Sequence, residues 1–418
     1  MDKLLTYLYN LERRGVKVGL EHTRQLLDVI GNPQSNFRSI HVAGTNGKGT
    51  TCAMIASILR AGGIRTGLYT SPHLIKFNER IRVNGEPITD TEIIKFVNRY
   101  KDSFDSIPVT FFEVTTAMAF WYFENNLVDI AVIETGLGGR LDSTNVLLPE
   151  LSVITPIDLD HCHILGKTVQ KIAKEKGGII KPKTPVVIAP QNKETFQVLE
   201  GISNRNDSPH YSVEKPKSIK CDWVYMNTEF KIKNEKYSIP LLGEHQTTNA
   251  ATAIKAIEVF DKNLSYQTII KGLNKTVWPG RFQKMHGQKP IFYDVAHNSH
   301  GLIAVLKTFE LLFTEKPIGL IALREDKELD AIAKIIKDRF SELIPVFSDN
   351  ADLWHPSELS QKLKIYEINN NPSDNIYRNI FELKKKVKYN KPALIFGSHY
   401  IAEDVFKVFD FSFDSGII

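Results

Sequence analysis

HVAGTNGKGTT, residues 41–51, decides how this chain is read. The run RSIHVAG leading into it is apolar and β-rich, and CAMIASILRAGG after it reads as a helix, so three glycines, a lysine and three threonines stand at a strand-to-helix turn. Gly44, Gly47 and Gly49 permit a sharp turn and let backbone N–H groups approach one anionic centre. A helix starting at Thr50 would aim its positive dipole end at the same point. Lys48 adds a mobile charge, and Thr50 or Thr51 a hydroxyl for Mg2+, so a nucleotide phosphate is the ligand that uses every part. The generic phosphate-loop pattern, however, asks for glycine at 42 and serine or threonine at 49, where this chain has Val42 and Gly49. A glycine turn without a ligand is the alternative on this segment alone.

Outward from the turn, short apolar runs (RSIHVAG, RTGLYTS, DIAVIETG, LSVITPI, PVVIAP) alternate with helical ones. Buried parallel strands separated by helices read this way. Thr89 and Glu92 have capping-box spacing at the start of one such helix. Residues 210–243 lose the rhythm and read as a small β excursion, followed by a helical pair and WPGRF at 278–282. The alternation restarts with KPIFYDVAH, KPIGLIALRED, LIPVFSD, KIYEI and KPALIFGSH. The expected fold is α/β: an N-terminal phosphate-loop-type domain with a mostly parallel sheet flanked by helices, and a smaller C-terminal Rossmann-like domain. The expected boundaries are 1–285 and 290–418, with a hinge in the polar KMHGQK at 284–289.

A chain of 418 residues exceeds what one core usually supports, which agrees with at least two domains. Composition is that of a folded globular protein, 42% hydrophobic and 24% charged. The net charge is +5, with lysines scattered rather than gathered on one face. That speaks against a nucleic-acid partner and suits small anionic substrates. Cys52, Cys162 and Cys221 are too few and too dispersed for a disulfide framework or a four-cysteine metal site. Reduced thiols, no signal-peptide pattern at the N-terminus and no membrane-length apolar run lead to the expectation of a cytoplasmic protein.

Further polar clusters follow apolar strands. DIAVIETGLGGRLDSTN ends a strand at Glu134, a position suited to a metal ligand beside phosphates, because ligands bind at the carboxyl ends of strands in open α/β sheets. A dinucleotide fingerprint fails there, since Leu141 occupies the third glycine position. TPIDLDHCHILG carries Asp158, Asp160, His161, Cys162 and His163. Zinc lacks a second ligand pair, and a magnesium-linked histidine or a phosphate contact is preferred. Lys174, Lys176 and Lys181 surround a helix end, where cations usually compensate the dipole. Arg281 in WPGRF offers a planar fork for phosphate. Asp294, His297 and Asn298 cluster after another strand, as do LREDK and GSH, and together these strand-end groups suggest a cleft between domains.

Taken together, HVAGTNGKGTT, YTSPHLIKFNERIRVNG, ETGLGGRLDSTN, DHCHILG, EKGGIIKP, WPGRF, DVAHN and GSH resemble the folylpolyglutamate synthase and dihydrofolate synthase family, a branch of the Mur-type ligases. The resemblance runs from about residue 4 to 408, in order. GTNGKGT with its extra Gly49, SPHL and GLGGRLD separate this branch from the cell-wall ligases. The resemblance implies an ATP-dependent, ADP-forming amide ligase that joins L-glutamate to dihydropteroate, to the glutamate tail of reduced folates, or to both. It places the phosphate loop on Thr45, Asn46, Gly47 and Lys48, continuing into Gly49 and Thr50. Magnesium ligands fall on Ser71, Glu134 and His161, with two Mg2+ ions and a K+ ion as the implied cofactors. The pterin or folate falls on Thr110, Phe111, Phe112 and Glu113 and on Leu141, Asp142 and Ser143. The nucleotide also takes Asn249, Arg281 and Asp294, and the glutamate side takes Asp294, His297 and Ser398. Lys176 matches a lysine that is carbamylated in relatives, which replaces its reading as a surface cation. Lys48, Lys176, Arg281 and His297 are the expected catalytic groups.

Two departures are small: Gly177 stands where many relatives have alanine, and Ser299 where many have proline. Small-molecule substrates and a monomer are expected. Two rival readings are a cell-wall ligase acting on a UDP-sugar acid and a regulatory phosphate-loop NTPase.

Overall fold

A computed structural model describes residues 2–12, 19–348 and 353–411. They form two compact units. The first comprises the described residues up to Lys215 together with Thr248–Thr276; the second comprises Pro216–Thr247 and the described residues from Val277 onward.

The first unit is built on eight strands: β1 (Arg38–Ala43), β2 (Thr66–Tyr69), β3 (Ile81–Val83), β4 (Glu86–Pro87), β5 (Ile130–Glu134), β6 (Leu151–Ile154), β7 (Val186–Ile188) and β8 (His210–Ser212). Their order is β4-β3-β2-β5-β1-β6-β7-β8. Pairing is parallel from β2 to β8 and antiparallel at β2–β3 and β3–β4. β2, β5, β6 and β7 are buried at every position, as the apolar runs require when helices cover both faces. Helix Phe111–Asn125 is buried on nearly all sides and centres one core with Phe96, Phe104 and Ile133. Helix Lys48–Ala61 is buried from Gly49 to Leu59 and packs on helix Tyr266–Asn274, where Ser57 Oγ donates to Gly272 O at 2.7 Å.

The second unit opens with a three-stranded antiparallel sheet, β9 (Lys217–Asp222), β10 (Asn227–Ile232) and β11 (Glu235–Ile239), in the order β11-β10-β9. A five-stranded sheet follows: β12 (Gln283–Lys284), β13 (Ile291–Asp294), β14 (Ile318–Ile321), β15 (Glu342–Pro345) and β16 (Ala393–Phe396), in the order β12-β13-β16-β14-β15. It is parallel except at β12–β13. Its core stacks Phe282 on Phe292 at 4.7 Å, with Phe309 edge-on to both.

The β excursion expected over 210–243 is present, but its parts go to different sheets. β8 extends the first sheet, whereas β9 to β11 belong with the second unit. Trp223, beyond β9, packs 5.4 Å from Phe313 and 6.4 Å from Phe292. Aromatic burial thus divides the chain elsewhere than 284–289, and the sequence shows only a change of rhythm there.

KIYEI, expected as a strand, is instead the end of helix Pro356–Ile365 and its exit. Glu367 takes φ 60°, and the Ile368 amide returns to Leu363 O at 3.2 Å, a closure that stops a helix rather than starting a strand. Among the described residues no helix is long and apolar enough to cross a membrane.

Candidate active site

The chain leaves β1 through the turn, forms helix Lys48–Ala61 and returns as β2, two places away; β6 lies on the other side of β1. β1 is therefore where strand order reverses, and the carboxyl edge of the sheet at such a point is where ligands bind. Val42 pairs with Glu134 and Ala43 with Ile154. Register alone brings the glycine turn, Glu134 and the segment after β6 together.

Gly47 caps the helix at φ 84°, a conformation that disfavours a side chain, and a Cβ there would lie 2.2 Å from Asn249 Oδ1. A Cβ at Gly44 would lie 1.8 Å from Thr155 Oγ1. The helix begins at Lys48, two residues before the expected Thr50, because Gly47 supplies the left-handed cap. The Lys48, Gly49 and Thr50 amides have no acceptor within the helix and carry the positive end of its dipole. The Thr45 and Asn46 amides do not converge on an anionic centre; both donate to Pro156 O, at 3.0 and 3.2 Å. Thr45 Oγ1 also donates to Asp158 O and accepts from the Asp158 amide, at 3.0 and 3.1 Å. These two residues brace the turn against the loop after β6. The donors this turn leaves available to an anion are those of the first helical turn.

Lys48 Nζ lies 3.9 Å from Glu134 Oε1 and 3.4 Å from Thr45 O. Glu134 is 4% exposed, and its Oε2 accepts the Ser71 amide at 3.2 Å. Ser71 and Glu134 are thus brought together, next to Lys48. His161 lies on the loop after β6, half-exposed, with Nε2 3.9 Å from Asp160 Oδ1. Among the described residues no group of three or more His, Cys, Asp and Glu side chains is arranged to hold a metal. A serine hydroxyl, a buried carboxylate and an imidazole are nevertheless donors that magnesium accepts, particularly with phosphate oxygens completing its shell.

Lys176 ends helix Val169–Lys176 and is 4% exposed, so it is no surface cation. Its Nζ donates to Gly44 O at 2.7 Å. Burial, and then the charge of Lys48, bring its ammonium down to about 7 against the opposing carboxylates Asp160, Asp142 and Glu134. Arg140 secures this helix end: its amide donates to Glu175 O at 2.7 Å and its guanidinium to Glu175 Oε1 at 2.9 and 3.2 Å. A Cβ at Gly139 would sit 2.8 Å from Glu175 O and Lys176 O, so the GLGGR segment lies directly against the lysine's backbone.

Thr110 and Glu113 form a capping box at helix Phe111–Asn125. The Thr110 amide donates to Glu113 Oε2 at 2.6 Å, and the Glu113 amide to Thr110 Oγ1 at 3.4 Å. Both are buried, as is Phe111, whose ring lies under the Arg80 guanidinium at 5.1 Å. Phe112 is half-buried, and its ring meets the space in front of Gly136. Leu141 is half-buried, while Asp142 and Ser143 are buried. Of these seven residues, Phe112 and Leu141 offer the most surface to a ligand.

In the second unit, Asp294 ends β13 with 3% exposure and accepts the Phe282 and Ala296 amides, each at 2.7 Å. Burial pushes its carboxyl up to about 6, with Arg281 opposing. His297 Nδ1 lies 2.9 Å from Val295 O, a carbonyl that can only accept, so Nδ1 carries a proton and Nε2 is the basic nitrogen of the neutral ring. Asn298 caps helix Ser299–Leu312 through the Gly301 amide at 2.8 Å. Ser398 is buried; its Oγ accepts the Tyr400 amide at 3.1 Å and its carbonyl accepts the Tyr293 hydroxyl at 2.8 Å.

Sequence reasoning misses the bracing partners Thr155, Pro156 and the Asp158 backbone, and the pair Arg140–Glu175. The first act through backbone atoms, which carry no sequence signal. For the second, opposite charges separated by 35 residues give none without the fold.

The chain matches the family model for the Mur ligase middle domain over residues 42–257. It is 37% identical to the dihydrofolate synthase/folylpolyglutamate synthase of Bacillus subtilis, across 96% of this chain and 97% of that protein. It is also 37% identical to the folylpolyglutamate synthase of Lacticaseibacillus casei, across 82% and 84%. Among solved structures, Mycobacterium tuberculosis folylpolyglutamate synthase complexed with ADP superposes with a TM-score of 0.89 at 29% identity, covering 98% of each chain. Escherichia coli FolC in complex with DHPP and ADP gives 0.86 at 26% identity, covering 97% of each.

Proposed function

Because the chain belongs to the Mur ligase family, and within it to the dihydrofolate and folylpolyglutamate synthases, we propose that it is an ATP-dependent amide ligase adding L-glutamate both to dihydropteroate and to reduced folates. The observation that carries the site assignment is the helix start opened by Gly47, with Lys48 3.9 Å from the buried Glu134 at the reversal point of the sheet.

A carboxylate resists an attacking amine because its charge repels the incoming lone pair. One carboxylate oxygen of the pterin substrate attacks the γ-phosphorus of ATP, ADP leaves, and an acyl phosphate results. The neutral amine of glutamate then attacks the acyl carbon, phosphate departs with the C–O bond pair, and the nitrogen releases a proton. Lys48 and the first-turn amides neutralise the phosphates by position and charge. Ser71, Glu134 and His161 are the residues that would hold Mg2+, which offsets charge on the phosphoryl oxygens when bound. Arg281, Asp294 and Asn249 are assigned to the nucleotide. His297 and Ser398 are assigned to glutamate, with His297 Nε2 the base that takes its ammonium proton. Phe112, Leu141 and the segment through Ser143 are assigned to the pterin or folate.

Lys176 is assigned as a carbamate. A lysine near pKa 10.4 is neutral in roughly one molecule in 2,500 at pH 7. At about 7 it is neutral in about half, which makes reaction with CO2 feasible. The product is an anion suited to a second Mg2+. The three free cysteines support placement in a reducing cytoplasm.

The test is incubation with ATP, Mg2+ and glutamate, offering dihydropteroate, tetrahydrofolate or a UDP-sugar acid separately, with products identified by mass. Glutamate-dependent product from both pterins and none from the sugar acid is expected. Product from the sugar acid, or ATP hydrolysis indifferent to glutamate, defeats the reading.

A further inference from the structure

His41 stands in the middle of β1, completely buried between Ile40 and Val42. Its Nε2 lies 2.8 Å from Thr144 Oγ1. That hydroxyl in turn donates to Asp142 Oδ1 at 2.5 Å. Both Asp142 oxygens act as acceptors: Oδ2 takes the Leu137 amide at 2.8 Å and Oδ1 the Thr144 amide at 3.0 Å. A hydroxyl has one hydrogen, so Thr144 gives it to the carboxylate and can only accept from His41. The proton of His41 is thereby fixed on Nε2. Burial first, then the charge of Lys181, take the imidazole down to about 3, which keeps it neutral at physiological pH.

Among the described residues, none pairs with His41 Nδ1. Leaving a buried polar atom unpaired costs stability, a penalty that another valine or isoleucine in this strand would avoid. The donor at Nε2 is what an aliphatic residue cannot supply. It orients the Thr144 hydroxyl, which with the Thr144 and Leu137 amides holds Asp142 and closes the segment 137–144 into one shape.

We propose that His41 and Thr144 are positioning residues for the pterin or folate substrate, setting through Asp142 the geometry in which the segment around Leu141 receives the ring. This rests on the assignment of residues 141–143 to that substrate. β1 then serves both reactants: its end carries the nucleotide turn, and its middle clasps the acceptor's loop.

The experiment uses the full chain with Thr144→Val, Thr144→Ser, His41→Leu, His41→Gln and, as a control, Asp142→Asn. KM for tetrahydrofolate, KM for ATP, kcat and melting temperature are measured for each. Thr144→Val and His41→Leu are expected to raise the folate KM roughly tenfold and leave the ATP KM within about twofold, since displacement by under an ångström is enough to weaken a site. Thr144→Ser and His41→Gln, which restore a hydroxyl and a donor, should recover most of the loss. If His41→Leu does not fold, the Thr144 pair decides.

An unchanged folate KM in Thr144→Val alongside a raised one in Asp142→Asn overturns the relay and leaves the site assignment standing. Equal rises in both KM values with no rescue mean a purely structural role and also overturn it. An unchanged folate KM in Asp142→Asn removes the assignment itself, and the relay with it.

Discussion

The Lys48 ammonium and the Glu134 carboxylate stand 3.9 Å apart, one at the start of a helix and the other at the end of the neighbouring strand. Both are largely buried, so removing either takes away an opposite charge that the other faces at close range. Lys48→Met and Glu134→Gln are expected to lower glutamate-dependent ADP release by roughly a hundredfold or more. Steady-state assays alongside circular dichroism check this; near-normal turnover in either variant defeats the assignment.

Lys176 makes stability depend on pH. Its folded pKa is about 7 against 10.5 for the unconstrained side chain, so between those values the unfolded chain binds more protons than the folded one. Stability therefore rises with pH across that window, by a few kcal/mol in all. In CO2-free buffer the urea midpoint should climb from pH 7 toward 10, and Lys176→Met should flatten the climb. An equal slope in both proteins contradicts the buried amine.

Carbamylation has its own readout. With 13C-labelled bicarbonate the wild-type protein should show a carbamate resonance that Lys176→Met lacks, and CO2 depletion should lower activity reversibly. A spectrum without that signal at saturating bicarbonate removes the modification from the mechanism.

Gly47→Ala meets two penalties, the contact with Asn249 Oδ1 at 2.2 Å and a φ of 84°. The backbone term alone costs about 1–2 kcal/mol. ATP affinity should fall about tenfold by calorimetry, since that cost falls on the donors of the first turn. Adding Asn249→Ala relieves the contact and not the backbone, so at most part of the loss should return.

Thr110→Ala removes a helix cap and should cost about 1 kcal/mol, with Thr110→Ser restoring it. Urea denaturation measures both. A null effect on stability would assign Thr110 wholly to the ligand.

The sheet strands were legible because β1, β5, β6, β13, β14 and β16 are short apolar runs flanked by glycine or polar residues, a pattern that burial on both faces enforces. The positions of Gly47 at a turn and Glu134 at a strand end were also legible. KIYEI misled because an apolar pattern that short fits a helix exit as well as a strand. The bracing of Thr45 and Asn46 by Pro156, and the grouping of β9 with the second unit, depend on contacts distant in sequence. Neither leaves a local trace. Lys176 looked ordinary for the same reason: Lys48, whose charge lowers its proton affinity, lies on the helix after β1, and Gly44 and Gly139, which lie against it, come from the segments after β1 and β5.

The room in front of Gly44, Gly47 and Gly139 is already taken by Thr155, Asn249 and the backbone of residues 175–176. Every single-nucleotide change that replaces glycine with another amino acid introduces at least a Cβ. At these three codons, therefore, no missense step in the gene is sterically silent, and drift there has to wait for a second, compensating change elsewhere.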